Sequence, residues 1–77
     1  MRSLKIKVKL FATFRNGRGK EVFFDVEPGA IVENIIEQLG IKEEDIAILL
    51  INGRDGKLDS QLKEDDYISL FPPVGGG

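Results

Sequence analysis

The residues best suited to chemistry stand at the end of this sequence, in Phe71-Pro72-Pro73-Val74-Gly75-Gly76-Gly77. Three successive glycines after a strand-like run serve no turn and cap no helix. The terminal carboxylate of Gly77 is therefore the first group to weigh. Elsewhere the usual catalytic equipment is missing, because the chain contains no cysteine and no histidine. That excludes a disulfide framework, a zinc–thiolate site and a thiol nucleophile. It also removes the commonest general base and metal ligand. Asp45, Asp65 and Asp66 occupy loop positions with no histidine partner and read as surface or capping carboxylates, not as a metal site. Gly17-Arg18-Gly19-Lys20 lacks the spacing of a phosphate-binding loop and reads as part of a hairpin turn.

A terminal carboxylate is ionised at neutral pH and is a poor acylating agent. It can react only after activation, and nothing else in the chain supplies an activating group. The tail's residue types have the physical properties of a thread. Gly75, Gly76 and Gly77 have no Cβ, so they pass a narrow channel and take dihedrals closed to other residues. Pro72 and Pro73 fix φ near about −65° and keep the root of the thread, with Val74, extended. From Pro72 to Gly77 the chain reaches at most about 20 Å, at roughly 3.3 Å per residue.

The elements that must position this tail fit one small domain of 77 residues. Hydrophobic residues make up 42% and charged residues 31%, a globular balance. A net charge of −2 argues against a nucleic-acid binder. Lys5, Lys7 and Lys9 have no aromatic residue between them in sequence, and on a net-acidic domain they read, with Arg15, Arg18 and Lys20, as a solvated edge or face. No apolar run approaches a membrane span, and the N-terminal residues alternate where a signal peptide would be continuously apolar. The expectation is a cytoplasmic protein with neither nucleic acid nor membrane as partner.

Leu4, Ile6, Val8 and Leu10 alternate with Lys5, Lys7, Lys9 and Phe11, a half-buried strand. Asn16-Gly17 and Gly19 mark a hairpin connection to a second strand, with Val22, Phe24 and Val26 inward and Phe23 outward. After Pro28-Gly29, the residues Ile31, Val32, Ile35, Ile36 and Leu39 form one face of a helix that Gly40 caps. Neither Ala30 nor Ile31 offers a capping side chain at its start. Residues 41–46 read as a polar connection or one short helical turn, and Ala47–Asn52 as a central strand closed by Asn52-Gly53. An irregular stretch follows, in which Leu58 and Leu62 plug the core. The last strand, Tyr67–Phe71, turns Ile68 and Leu70 inward. Burying this pattern calls for an α+β fold: a mixed sheet, first and last strands parallel at its centre, with one main helix packed on one face. This is the β-grasp, or ubiquitin-like, arrangement, with a domain over 1–71 and a tail over 72–77.

With that order and tail in hand, the chain resembles the MoaD/ThiS-type sulfur carriers, and among them the small subunit of molybdopterin synthase. The matching pieces are KVKLFATFR, VEPGAIVENII, LLINGR and LKEDDYISLFPPVGGG, which together run nearly end to end. The resemblance implies that an E1-like adenylating enzyme of the MoeB/ThiF type joins Gly77 to AMP from ATP. A thiocarboxylate then forms and donates sulfur inside a complex with a synthase large subunit. No cofactor is bound by the carrier itself, which is not catalytic alone, and ATP belongs to its partner. The positions of Phe11 and Phe71 contact partner enzymes in that family, while Phe23 joins them on strand periodicity alone. Gly75 stands where molybdopterin-type carriers often have a larger residue, and the Val-Gly-Gly-Gly ending is also similar to some thiazole-pathway carriers. Sulfur delivery for thiamine thiazole or tRNA thiolation, and conjugation to proteins as a ubiquitin-like modifier, are the alternative outcomes of the same chemistry.

Overall fold

The computed structural model describes residues 3–73. Five strands form one mixed sheet: β1 (Leu4–Leu10), β2 (Glu21–Val26), β3 (Ile48–Ile51), β4 (Arg54–Asp55) and β5 (Tyr67–Phe71). Their spatial order is β2-β1-β5-β3-β4. Neighbouring strands run antiparallel except β1 and β5, which are parallel. One helix, α1 (Val32–Leu39), lies against one face. This is the expected β-grasp arrangement.

Alternation sets the two faces. Ile6, Val8 and Leu10 of β1 and Ile68 and Leu70 of β5 are fully buried, as are Val32 and Ile35 of α1. Each such aliphatic side chain removed from water contributes on the order of 1.5–3 kcal/mol, so these central residues dominate folding. Leu62 closes the core from the long stretch after β4, with Leu58 packed beside it, both as anticipated.

Several local details depart from the sequence pattern for clear physical reasons. The β1–β2 connection is not a simple hairpin loop. It contains a 3₁₀ turn, Ala12–Arg15, whose Phe14 drops into the core. Ala12 has φ +53°, a left-handed conformation unusual for a residue with a Cβ. Ile31 sits on the apolar face but precedes the helix: its backbone is extended and bridges to Gln61. Its N–H donates to Asn34 Oδ1 at 2.9 Å, so the helix start is tied by a side chain from inside the first turn. Gly40 ends the helix in the left-handed region, φ +74°, as its position required.

The run Ala47–Asn52 was expected to be central, but β3 lies one place from the sheet edge. Its only outer cover among the described residues is the two-residue β4, and Ile48 stays 49% exposed. Asn52 and Gly53 both take positive φ, as a two-residue hairpin turn requires. Asn52 then does more than turn the chain. Its Nδ2 donates to Asp66 Oδ1 at 2.8 Å, and its Oδ1 accepts from the Tyr67 N–H at 3.0 Å. Asp66, buried, also accepts the Lys63 N–H through Oδ2 at 2.7 Å. The capping reading of Asp66 therefore holds, and this network pins the start of β5 to the β3–β4 turn.

Truncating Leu70 to Ala should lower unfolding free energy by about 3 kcal/mol, since it empties a fully buried site between β1 and β3. Urea unfolding should show a lower midpoint at unchanged slope.

Candidate functional site

The root of the tail is built by strand register. Leu10 pairs with Leu70 in the parallel β1–β5 ladder, so the next residues, Phe11 and Phe71, emerge side by side on the outer face. Their rings stack with centroids 4.1 Å apart and planes 11° from parallel. Ile48 stands opposite Phe71 in β3 and continues the row. Phe11, Ala12, Ile48, Phe71, Pro72 and Pro73 line most of an apolar groove of about 360 Å³ at this end of the sheet.

Arg15 holds the other side of Phe11. Its Nε donates to the Leu10 carbonyl at 2.7 Å, and its guanidinium carbon lies 5.4 Å from the Phe11 ring centroid. A planar cation at that distance is attracted by the ring face. The left-handed Ala12 makes this possible, because it turns the chain sharply enough to bring residue 15 back toward residue 11. Neither Ala12 nor Arg15 carries a sequence signal for this role, whereas the outward placement of Ile48 follows the alternation of its strand.

β5 ends at Phe71, whose carbonyl accepts the Ala47 N–H at 2.8 Å. Pro72 is half-buried and Pro73 exposed. Val74, Gly75, Gly76 and Gly77 lie outside the described residues.

Phe23 shares the outer face but not the groove. It stands opposite Lys7 in β2 and is 69% exposed. Between its row and that of Phe71 runs a row of Glu21, Lys9, Ser69 and Leu50. Periodicity gave the face correctly but could not give the distance along it. The same register places Lys7 between Phe23 and Tyr67, and the Lys9 ammonium lies 4.8 Å above the Tyr67 ring. Aromatic residues do interleave with the lysines once the sheet forms, although none adjoins them in sequence. No group of three or more acidic residues among the described ones is arranged to hold a metal ion.

Comparison with known proteins matches the model of the ThiS family to residues 8–77. The chain belongs to the ThiS family. A curated relative, small archaeal modifier protein 3 of Haloferax volcanii, is 30% identical over an alignment covering 96% of this chain and all of that protein. A Pyrococcus furiosus structure, assigned as a molybdopterin converting factor, subunit 1, superposes with a TM-score of 0.79 at 32% identity. That match covers 94% of this chain and all of the other. In a complex of subunits 1 and 2 of the molybdopterin-converting factor from Helicobacter pylori, one chain matches with a TM-score of 0.60 at 25% identity. It covers 96% of this chain and all of that one. As a ThiS-family protein, this chain is a ubiquitin-like member of a group of sulfur carriers and modifiers.

The stack should appear as energetic coupling. In a cycle of Phe11→Leu, Phe71→Leu and the double variant, the stability losses should be non-additive by about 1 kcal/mol. Thermal or urea unfolding of the four proteins measures it, and additive losses would remove the stack as an organising contact.

Proposed function

We propose that this chain carries sulfur as a thiocarboxylate on Gly77 and donates it in molybdopterin synthesis, for a molybdenum or tungsten cofactor. The observation that supports this reading best is the build of the tail root. Phe71 is at once the last ladder residue of β5, half of the aromatic stack and the residue before Pro72-Pro73. A partner that closes over the groove thereby meets the point from which Val-Gly-Gly-Gly follows in the sequence.

Activation needs a partner of the E1-like, MoeB/ThiF type. A carboxylate oxygen of Gly77 attacks the α-phosphorus of ATP, and pyrophosphate leaves. Hydrosulfide then attacks the acyl carbon, AMP departs with the shared oxygen, and a thiocarboxylate remains; no oxidation state changes. The chain contributes position and reach, while the adenylating enzyme contributes the nucleotide site. Delivery of the sulfur takes place against a synthase large subunit, in line with the two-subunit Helicobacter pylori complex.

A second reading, a protein modifier, is favoured by the likeness to small archaeal modifier protein 3. The same acyl-adenylate, met by a lysine amine instead of hydrosulfide, gives an isopeptide bond. Sulfur delivery to thiamine thiazole or to tRNA uses the same thiocarboxylate with another acceptor, and capture of the cognate synthase separates these pathways.

Intact-mass spectrometry after incubation with an adenylating enzyme, ATP and sulfide should reveal a species heavier by the exchange of one oxygen for sulfur. Gly76→Ala should reduce its formation by at least about tenfold while leaving the unfolding midpoint unchanged. Failure of the thiolated species to form would overturn the carrier reading, and glycine remnants on lysines of other proteins would establish the modifier reading.

A further inference from the structure

The two edges of the sheet are unlike. One carries only the two residues of β4, whereas the other is the six-residue β2, with β1 as its one neighbour in the sheet. The direction of the free main-chain groups on β2 follows from the ladder. The Leu10 N–H donates to the Lys20 carbonyl at 2.9 Å, so Val8–Val22, Ile6–Phe24 and Leu4–Val26 are the hydrogen-bonded pairs. The Lys7 N–H turns the other way, toward Asp66 at 3.1 Å. The N–H and C=O groups of Glu21, Phe23 and Asp25 therefore point away from β1, out of the sheet.

The side chains of these same residues all lie on the outer face and are exposed. Phe23 is the most exposed large hydrophobic residue of the described chain, and a cavity of about 290 Å³ lined by Lys5, Phe23, Phe24 and Asp25 adjoins it. Among the described residues, the edge thus offers a row of unpaired main-chain donors and acceptors, an apolar centre and a carboxylate two residues to either side.

We propose that β2 is a strand-addition site for an extended, cationic segment of a partner protein. The segment would place an apolar residue opposite Phe23 and Lys or Arg opposite Glu21 and Asp25. Charge selects this occupant. A second copy pairing antiparallel about Phe23 sets Glu21 against the copy's Asp25 twice, and like charges directly opposite are destabilising. Acidic strands are rejected for the same reason. The cations on β1 compete only weakly: Lys9 is drawn over Tyr67, Lys7 stands opposite Phe23 and not a carboxylate, and Lys5, across from Asp25, is exposed and its pairing screened. The site shares no lining residue with the groove at the tail root. It does not depend on the chemistry proposed for Gly77.

The test titrates the isotope-labelled protein with the peptide acetyl-Thr-Lys-Thr-Val-Thr-Lys-Thr-amide, which gives the same oppositions in either strand direction. A version with Glu for each Lys is the control. Amide shifts should centre on Glu21, Phe23 and Asp25, and the basic peptide should bind at least about tenfold more tightly than the acidic one. Reversing the edge with Glu21→Lys and Asp25→Lys should invert that order. Phe23→Pro, which removes an outward N–H but no β1 pairing, should weaken binding about tenfold; if it fails to fold, the charge-reversed protein still decides. Equal binding of the two peptides, shifts confined to the Phe11–Phe71 groove, no shift at millimolar peptide, or self-association of the protein through β2 would each overturn the proposal.

Discussion

The parallel pairing of β1 with β5 is the contact on which the rest of the molecule depends. It joins the two ends of the described chain at the sheet centre, where every inward residue of both strands from Ile6 onward is buried. Parallel neighbours require a long crossover, and here α1, β3 and β4 all lie within it. The same register that aligns Leu10 with Leu70 inside aligns Phe11 with Phe71 outside. Core and apolar groove are two faces of one ladder.

Under the proposed function, that geometry is how a chain without His or Cys takes part in group transfer. Its share of the work is positional. A stacked aromatic pair, braced by Arg15 on one flank and Ile48 on the other, supplies a rigid apolar platform at the point where Pro72 leaves the sheet. A rigid platform and a proline-stiffened root leave less conformational entropy to lose when a partner binds. In the proposed carrier role the bond-making groups belong to the partner. This division suits a family that spans sulfur carriers and modifiers, because the nucleophile that meets the activated acyl group decides the product.

The two sheet edges are managed differently. Short β4 shields one side of β3. The β2 edge is left long, and acidic side chains at its outward positions set which strands can approach. Lysine-rich β1 between β2 and β5 gives the outer face a mixed character, with Lys7 between Phe23 and Tyr67 in register and the Lys9 ammonium over the Tyr67 ring.

Alternation of apolar residues by itself determined both faces of β1, β2 and β5. The 3.6-residue period gave the buried side of α1, and Gly40 its end, because these depend on local geometry alone. The Phe-Pro-Pro-Val-Gly-Gly-Gly ending is the stretch of sequence on which the proposed chemistry rests, and its last four residues lie outside the described ones. Tertiary structure alone decided what depends on residues distant in sequence. Strand register stacked Phe11 on Phe71 and set Phe23 apart from them, since period two fixes a face but not a position along it. The left-handed Ala12 brought Arg15 onto Phe11, and the long-range bonds of Asn52 and Asp66 located β5. The place of β3 near the edge was likewise hidden, because a short apolar run reads alike in a central strand and in one whose outer neighbour is only two residues long.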